Sequence, residues 1–187
     1  MHYPYRKWRI WPGIFLLLAA LLVGLPARAE MVELLPQYRA YDTPRAMPNL
    51  SFQDAKGAWK KISDYRGKWL LVNAWATWCA PCRKEMPELD NLQSAYGEAN
   101  FQILPISIDS PQTAPRMFQF YHEKQIRNLP LLHDPQGNLM RLMRPRGLPS
   151  SWLVNPNGQM VGEIVGYAPW DSDRAANLIE YYLQAKQ

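Results

Sequence analysis

Hydrophobic positions are densest at Trp69-Leu70-Leu71-Val72-Asn73-Ala74-Trp75, a run with the length and composition of a buried strand. Shortly afterwards the period changes. From Pro81, the positions Glu85, Leu89, Leu92 and Tyr96 recur at helical spacing, and Gly97 supplies a stop. Residues 101–108 (Phe101 to Ile108) predict a second core strand, irregular at Pro105 because proline withholds a ladder donor. Residues 110–125 predict a helix with Pro115 near its first turn and Met117, Phe118 and Tyr121 facing inward. Leu129 to His133 reads as a short strand, and Asp134-Pro135-Gln136-Gly137 turns into a short helix through Leu142. Ser151–Val154 and Met160–Val165 flank Asn155-Pro156-Asn157-Gly158, a hairpin turn. A last helix spans 170–185 with Ala175, Leu178, Ile179, Tyr182 and Leu183 on one face.

Upstream, Leu50-Ser51-Phe52 and Trp59-Lys60-Lys61-Ile62 bracket Asp54-Ala55-Lys56-Gly57 as a short hairpin, and Ser63 to Lys68 turns the chain into the first buried strand. Residues 30–47 lack sustained periodicity and carry Pro36 and Pro44, with Pro48 following. They read as a linker or arm over the domain, with Leu34, Leu35 and Tyr38 docking. Strand–helix–strand passages followed by a hairpin and a terminal helix predict an α/β layer fold with a mixed central sheet and helices on both faces.

Charge separates the N-terminus from the rest. The formal net charge is +5, yet residues 1–29 hold Arg6, Lys7, Arg9 and Arg28 and no acid, so the remainder is near neutral. That leaves no electrostatic footprint for nucleic acid. The basic start, the 12-residue apolar core Ile14 to Leu25 and the small-x-small pattern Leu25-Pro26-Ala27-Arg28-Ala29 describe a signal peptide with Glu30 as mature N-terminus. The competing reading is an uncleaved anchor. Counted from Ile10 the apolar run is 16 residues, short of the ~20 that span a bilayer, and Pro12 and Gly13 interrupt it. Either way a domain at 48–187 is delivered outside the cytoplasm, touching membrane only if residues 10–25 remain as a tether.

Cys79 and Cys82 are the only cysteines, two residues apart where the strand passes into the helix. There, unpaired N–H groups and the helix dipole stabilise a thiolate, and the spacer lets the pair close on itself. A structural staple is the alternative after export, but so short a loop removes little unfolded-state entropy. Zinc would need two more ligands, and His2, His122 and His133 are the only histidines. The pattern therefore favours redox chemistry with no metal and no separate cofactor.

The residues Trp78-Cys79-Ala80-Pro81-Cys82-Arg83-Lys84-Glu85-Met86-Pro87, with Gly147-Leu148-Pro149-Ser150 much later, carry a resemblance. The chain resembles the TlpA/ResA/DsbE group of exported thiol–disulfide oxidoreductases with a thioredoxin-like fold, over about residues 48–185. The resemblance implies an N-terminal β-hairpin, a central strand–helix insertion at 101–133, and a cis Leu148–Pro149 bond facing the cysteines. It departs from thioredoxin proper at Asn73, where that protein keeps a buried acid, so Glu85 becomes the candidate proton acceptor. Ser150 stands where the group usually shows Thr.

On this reading Cys79 is the attacking thiolate and the more exposed sulfur, and Cys82 resolves the mixed disulfide. Glu85, one turn past Cys82, either shuttles protons as a partly desolvated acid or stays solvated at the first turn. Trp75 and Trp78 form an apolar wall around the motif, or Trp75 is core alone. Trp78, Pro81, Leu148 and Pro149 contact the client, Leu148 through its backbone. His133 is structural, and Arg83 and Lys84 are surface charge. Ala80-Pro81 offers no positive charge, which points to a reducing couple. The partners would be exported proteins with cysteines, apocytochromes c among them, and a membrane thiol-reductant donor. A disulfide oxidase or isomerase uses the same residues in reverse. A copper-handling chaperone would need more than scattered methionines on core faces. A peroxidase of the peroxiredoxin kind normally requires Thr-x-x-Cys, which is absent.

Overall fold

The computed structural model describes residues 35–97 and 100–184; the signal or anchor reading of 1–29 lies outside them. Eight strands form one sheet: β1 (Tyr38–Ala46), β2 (Ser51–Asp54), β3 (Trp59–Lys61), β4 (Trp69–Trp75), β5 (Phe101–Ser107), β6 (Leu132–His133), β7 (Ser150–Val154) and β8 (Gln159–Val165). Their order is β1-β8-β7-β4-β5-β6-β2-β3. Only β4–β5 and β5–β6 are parallel, so the sheet is mixed. Among the described residues four α-helices accompany the sheet: α1 (Ala80–Tyr96), α2 (Pro115–Glu123), α3 (Asn138–Met143) and α4 (Asp173–Gln184).

β4 shows why the sheet has two covered faces. Leu71 and Trp75 point into the core beneath α1, α2 and α4, which includes Met86, Leu89, Met117, Phe120, Leu178 and Ile179. Leu70, Val72 and Ala74 point the other way, toward Phe52, Leu104, Ile106, Trp152 and Leu139 of α3. Side chains in a strand alternate with a period of two, and here both sets are apolar because both faces are covered. Asn73 falls in the Leu71–Trp75 register. Its amide is thereby aimed at α1.

Several expectations change. The stretch read as a linker or arm contains β1, an edge strand antiparallel to β8 from Tyr38↔Ile164 to Ala46↔Gln159, with a register shift between Ala40 and Arg45. Leu35 and Tyr38 are buried there, but most of β1 is exposed, so no apolar alternation marks it in the sequence. The irregularity expected at Pro105 does not occur: β4 and β5 stay in register from Trp69↔Phe101 to Trp75↔Ser107. Bonds from Trp69 N–H to Asn100 O and from Ile108 N–H to Trp75 O direct the even residues at β4. Pro105 nitrogen therefore faces the side where β6 pairs only with Ile106 and Ser107, and no ladder bond is lost. α2 begins at Pro115, not at 110, and buries Phe120 while leaving Phe118 51% exposed. α4 begins at Asp173, not at 170. Met47, Met86, Met117 and Met160 are all buried. Pro87 lies inside α1, which continues to Tyr96 without the bond its nitrogen would have made.

Candidate active site

The end of β4 delivers the chain to Cys79, which caps α1 with extended backbone dihedrals. Cys79 Sγ accepts the N–H of Cys82 at 3.3 Å, a helix-capping bond made by sulfur. The two sulfurs form a disulfide across a Cα–Cα distance of 5.3 Å. Cys79 is 6% exposed and Cys82 is fully buried, so the first sulfur is the one a partner can reach. Pro81 sits in the first turn of α1, where its missing N–H costs nothing. Trp78 is 65% exposed, whereas Trp75 is a core residue packed on Phe120 and Tyr121 and forms no part of a surface wall.

Glu85 is not a solvated first-turn acid. It is 1% exposed beneath the cysteine turn. One carboxylate oxygen accepts from Asn73 Nδ2 at 2.7 Å and the other from Trp170 Nε1 at 3.2 Å. Burial pushes its carboxyl from the ordinary 4.5 up to about 8, against the lowering pull of the bonds from Asn73, Trp170 and the Ala168 backbone. Asn73 Nδ2 also donates to Ser151 Oγ at 3.0 Å, as the Asn73↔Ser151 register allows. Asn73 Oδ1 is buried with no hydrogen-bond partner among the described residues. Trp170 is held in place by a second acid on α1: Glu88 accepts Trp170 N–H at 3.1 Å and Tyr167 Oη at 2.8 Å. Lys84 Nζ lies 4.0 Å from the centre of the Tyr167 ring.

The Leu148–Pro149 bond is cis. Ser150 pairs with Ala74, so residues 148 and 149 lie at the C-terminal end of β4, the end from which the chain runs on to Cys79. Leu148 is half-buried and Pro149 is buried, its carbonyl accepting Gly166 N–H at 2.8 Å.

Sequence reasoning missed Asp109. Its buried carboxylate accepts Thr77 N–H at 2.9 Å, Thr77 Oγ1 at 2.7 Å and Ser107 Oγ at 2.7 Å, fixing the segment that leads into Cys79. The signal for it is the β4–β5 register, which sets the ends of those strands side by side. His133 Nε2 meets Asp109 O at 2.7 Å, a structural contact. Ser151, Ala168 and Trp170 were missed as partners of the Asn73–Glu85 pair, for they come from sequence-distant segments.

The AhpC/TSA family profile matches residues 44–162. The thiol–disulfide oxidoreductase ResA of Geobacillus kaustophilus is 31% identical over 119 residues, 64% of this chain and 67% of that protein. Among solved structures, a Chlorobium tepidum protein described as a thiol:disulfide interchange protein DsbE superposes with a TM-score of 0.67 at 27% identity, covering 77% of this chain and 99% of that one. The thioredoxin domain of a Bacteroides vulgatus thiol-disulfide oxidoreductase gives a TM-score of 0.66 at 23% identity over 78% of this chain and all of its own length, a likeness of fold. Both the length matched and the cysteine turn within it lead to one conclusion: the chain belongs to the AhpC/TSA family and is a thiol–disulfide oxidoreductase of the ResA and DsbE type.

Proposed function

We infer that this oxidoreductase works outside the cytoplasm and reduces disulfides in exported proteins, apocytochromes c awaiting haem among them. The observation that carries the reading is Glu85, an acid one helical turn past Cys82, buried and held near neutrality with its proton at about 8. Such a group both gives and takes a proton near physiological pH. Cys79 attacks one sulfur of the client disulfide as a thiolate; a Cys79–client bond forms, and the client's other sulfur leaves as a thiolate and takes up a proton. Cys82 gives its proton to ionised Glu85 and attacks Cys79 Sγ. The Cys79–Cys82 bond closes, and the second client sulfur leaves, protonated from Glu85. Two electrons and two protons pass to the client, and a membrane thiol donor returns them.

In this cycle the cysteine pair is the whole redox group, with no metal or separate cofactor. The client would lie against Trp78, Pro81, Leu148 and Pro149, with Leu148 offering its backbone to an extended segment. When Glu85 is protonated, turning the Asn73 amide over would present Oδ1 to the new O–H. That gives a use to the oxygen left without a partner among the described residues. The basic, apolar, small-x-small order of residues 1–29 supports export, and the uncharged Ala80-Pro81 spacer supports a reducing couple.

Trapping tests the roles. Cys82→Ala leaves clients attached to Cys79 as mixed disulfides, identified by mass, whereas Cys79→Ala traps none; equal trapping by both overturns the assignment. A reduction potential below about −200 mV agrees with a reductant, and one near −120 mV reverses the direction.

A further inference from the structure

Beside the cysteine turn a cleft of about 240 Å³ opens between α1 and α2. Thr77 and Trp78, the two residues before Cys79, form one wall, and Arg83, Arg116 and Phe120 form much of the rest. An exposed indole next to a reactive sulfur forgoes burial that Trp75, three residues earlier, obtains in full. The Arg83 guanidinium stands 5.5 Å over the Phe120 ring, held at the cleft by a cation–π contact. Arg116 rises exposed from the first turn of α2. The one carboxylate in the lining, Glu123, already accepts Gln119 Nε2 at 2.7 Å along its own helix. Two guanidinia and an aromatic face thus meet in a domain whose charges otherwise nearly cancel.

We propose that this cleft receives the client segment flanking the attacked cysteine, and selects segments that carry a carboxylate side chain within about two residues of it. The proposal rests on the reading of Cys79 as the sulfur that attacks clients. A residue one or two positions from the client cysteine stands about 3.5–7 Å along the chain from the mixed disulfide, within reach of a cleft walled by the neighbours of Cys79. There the indole face covers the segment, and planar guanidinia take a carboxylate by paired hydrogen bonds. A lysine in the same place meets two like charges, against the single carboxylate of Glu123. The selection is for the client, and acts on how fast the mixed disulfide forms.

The test uses the reduced full domain and three peptides of one sequence, each with a single cysteine in mixed disulfide with glutathione. Asp, Asn or Lys follows the cysteine. Stopped-flow at low salt gives the second-order rate for each, and the quantity read is the Asp-to-Lys ratio within one protein, which cancels any change in the reactivity of Cys79. The expected ratio is roughly five-fold to ten-fold in the wild type, as two exposed charge pairs exchanged for repulsions allow. It falls toward one at 0.5 M salt and in Arg116→Glu, and inverts in Arg83→Glu/Arg116→Glu. A wild-type ratio near one, or a ratio that survives the double substitution, overturns the proposal while leaving the redox reading intact. Failure to reduce the Asn peptide overturns the redox reading itself, and the cleft proposal with it.

Discussion

Glu85 offers a direct test through stability. Its carboxyl is 1% exposed and pushed by burial from 4.5 up to about 8. The folded chain keeps that proton well after the unfolded chain has lost it. The resulting stabilisation is complete below about pH 4.5, declines as pH rises, and is gone above about pH 8. Each unit of that window corresponds to about 1.4 kcal/mol, so the whole interval removes about 4–5 kcal/mol. Against the ~5–15 kcal/mol of a typical domain, that is a large share. Glu85→Gln preserves the shape of the side chain and abolishes the titration. The assay is urea unfolding of the disulfide-closed wild type and variant at half-unit steps from pH 5 to pH 9. The wild-type stability minus that of the variant falls by about 4 kcal/mol across the range, whatever constant offset the amide introduces. Parallel profiles would refute the reasoning, because they require an ionised Glu85 whose hydrogen bonds from Asn73 and Trp170 outweigh its burial.

Two further outcomes follow from the same geometry. Asp109→Ala strands the Thr77 N–H and two hydroxyls, and lowers stability by about 2–4 kcal/mol in urea unfolding, with Asp109→Asn recovering part of it. Gly162→Ala brings a Cβ against the Tyr38 phenol and to 2.7 Å from Arg39 O, where β1 crosses β8. It costs ~1–3 kcal/mol, and hydrogen exchange at β1 rises more than at β4.

Much of the site was legible along the chain. The run from Trp69 to Trp75, the cysteine turn and the helical period after Pro81 are contiguous, and each states its element through spacing and a cap. The hairpin around Asn155–Gly158 is likewise local, since turn chemistry specifies it. Phe118 and Phe120 were not separable in the same way. They flank the Met117–Tyr121 line on opposite sides of a short helix, and Phe120 is the one buried because Trp75 packs on that side.

What the sequence by itself determined is the order of elements and the place where two sulfurs meet a helix end, because period, caps and turns act over a few residues. What only the tertiary structure decided is Glu85. Helical spacing allowed it to be a solvated acid or a buried one, and the outcome was set by Trp170, 85 residues away, and by Asn73 across the layer. The edge strand β1 was settled the same way, by pairing with β8 more than 100 residues later. Burial and strand pairing depend on which distant segment arrives, and a side chain's proton affinity follows the dielectric that the arriving segment creates.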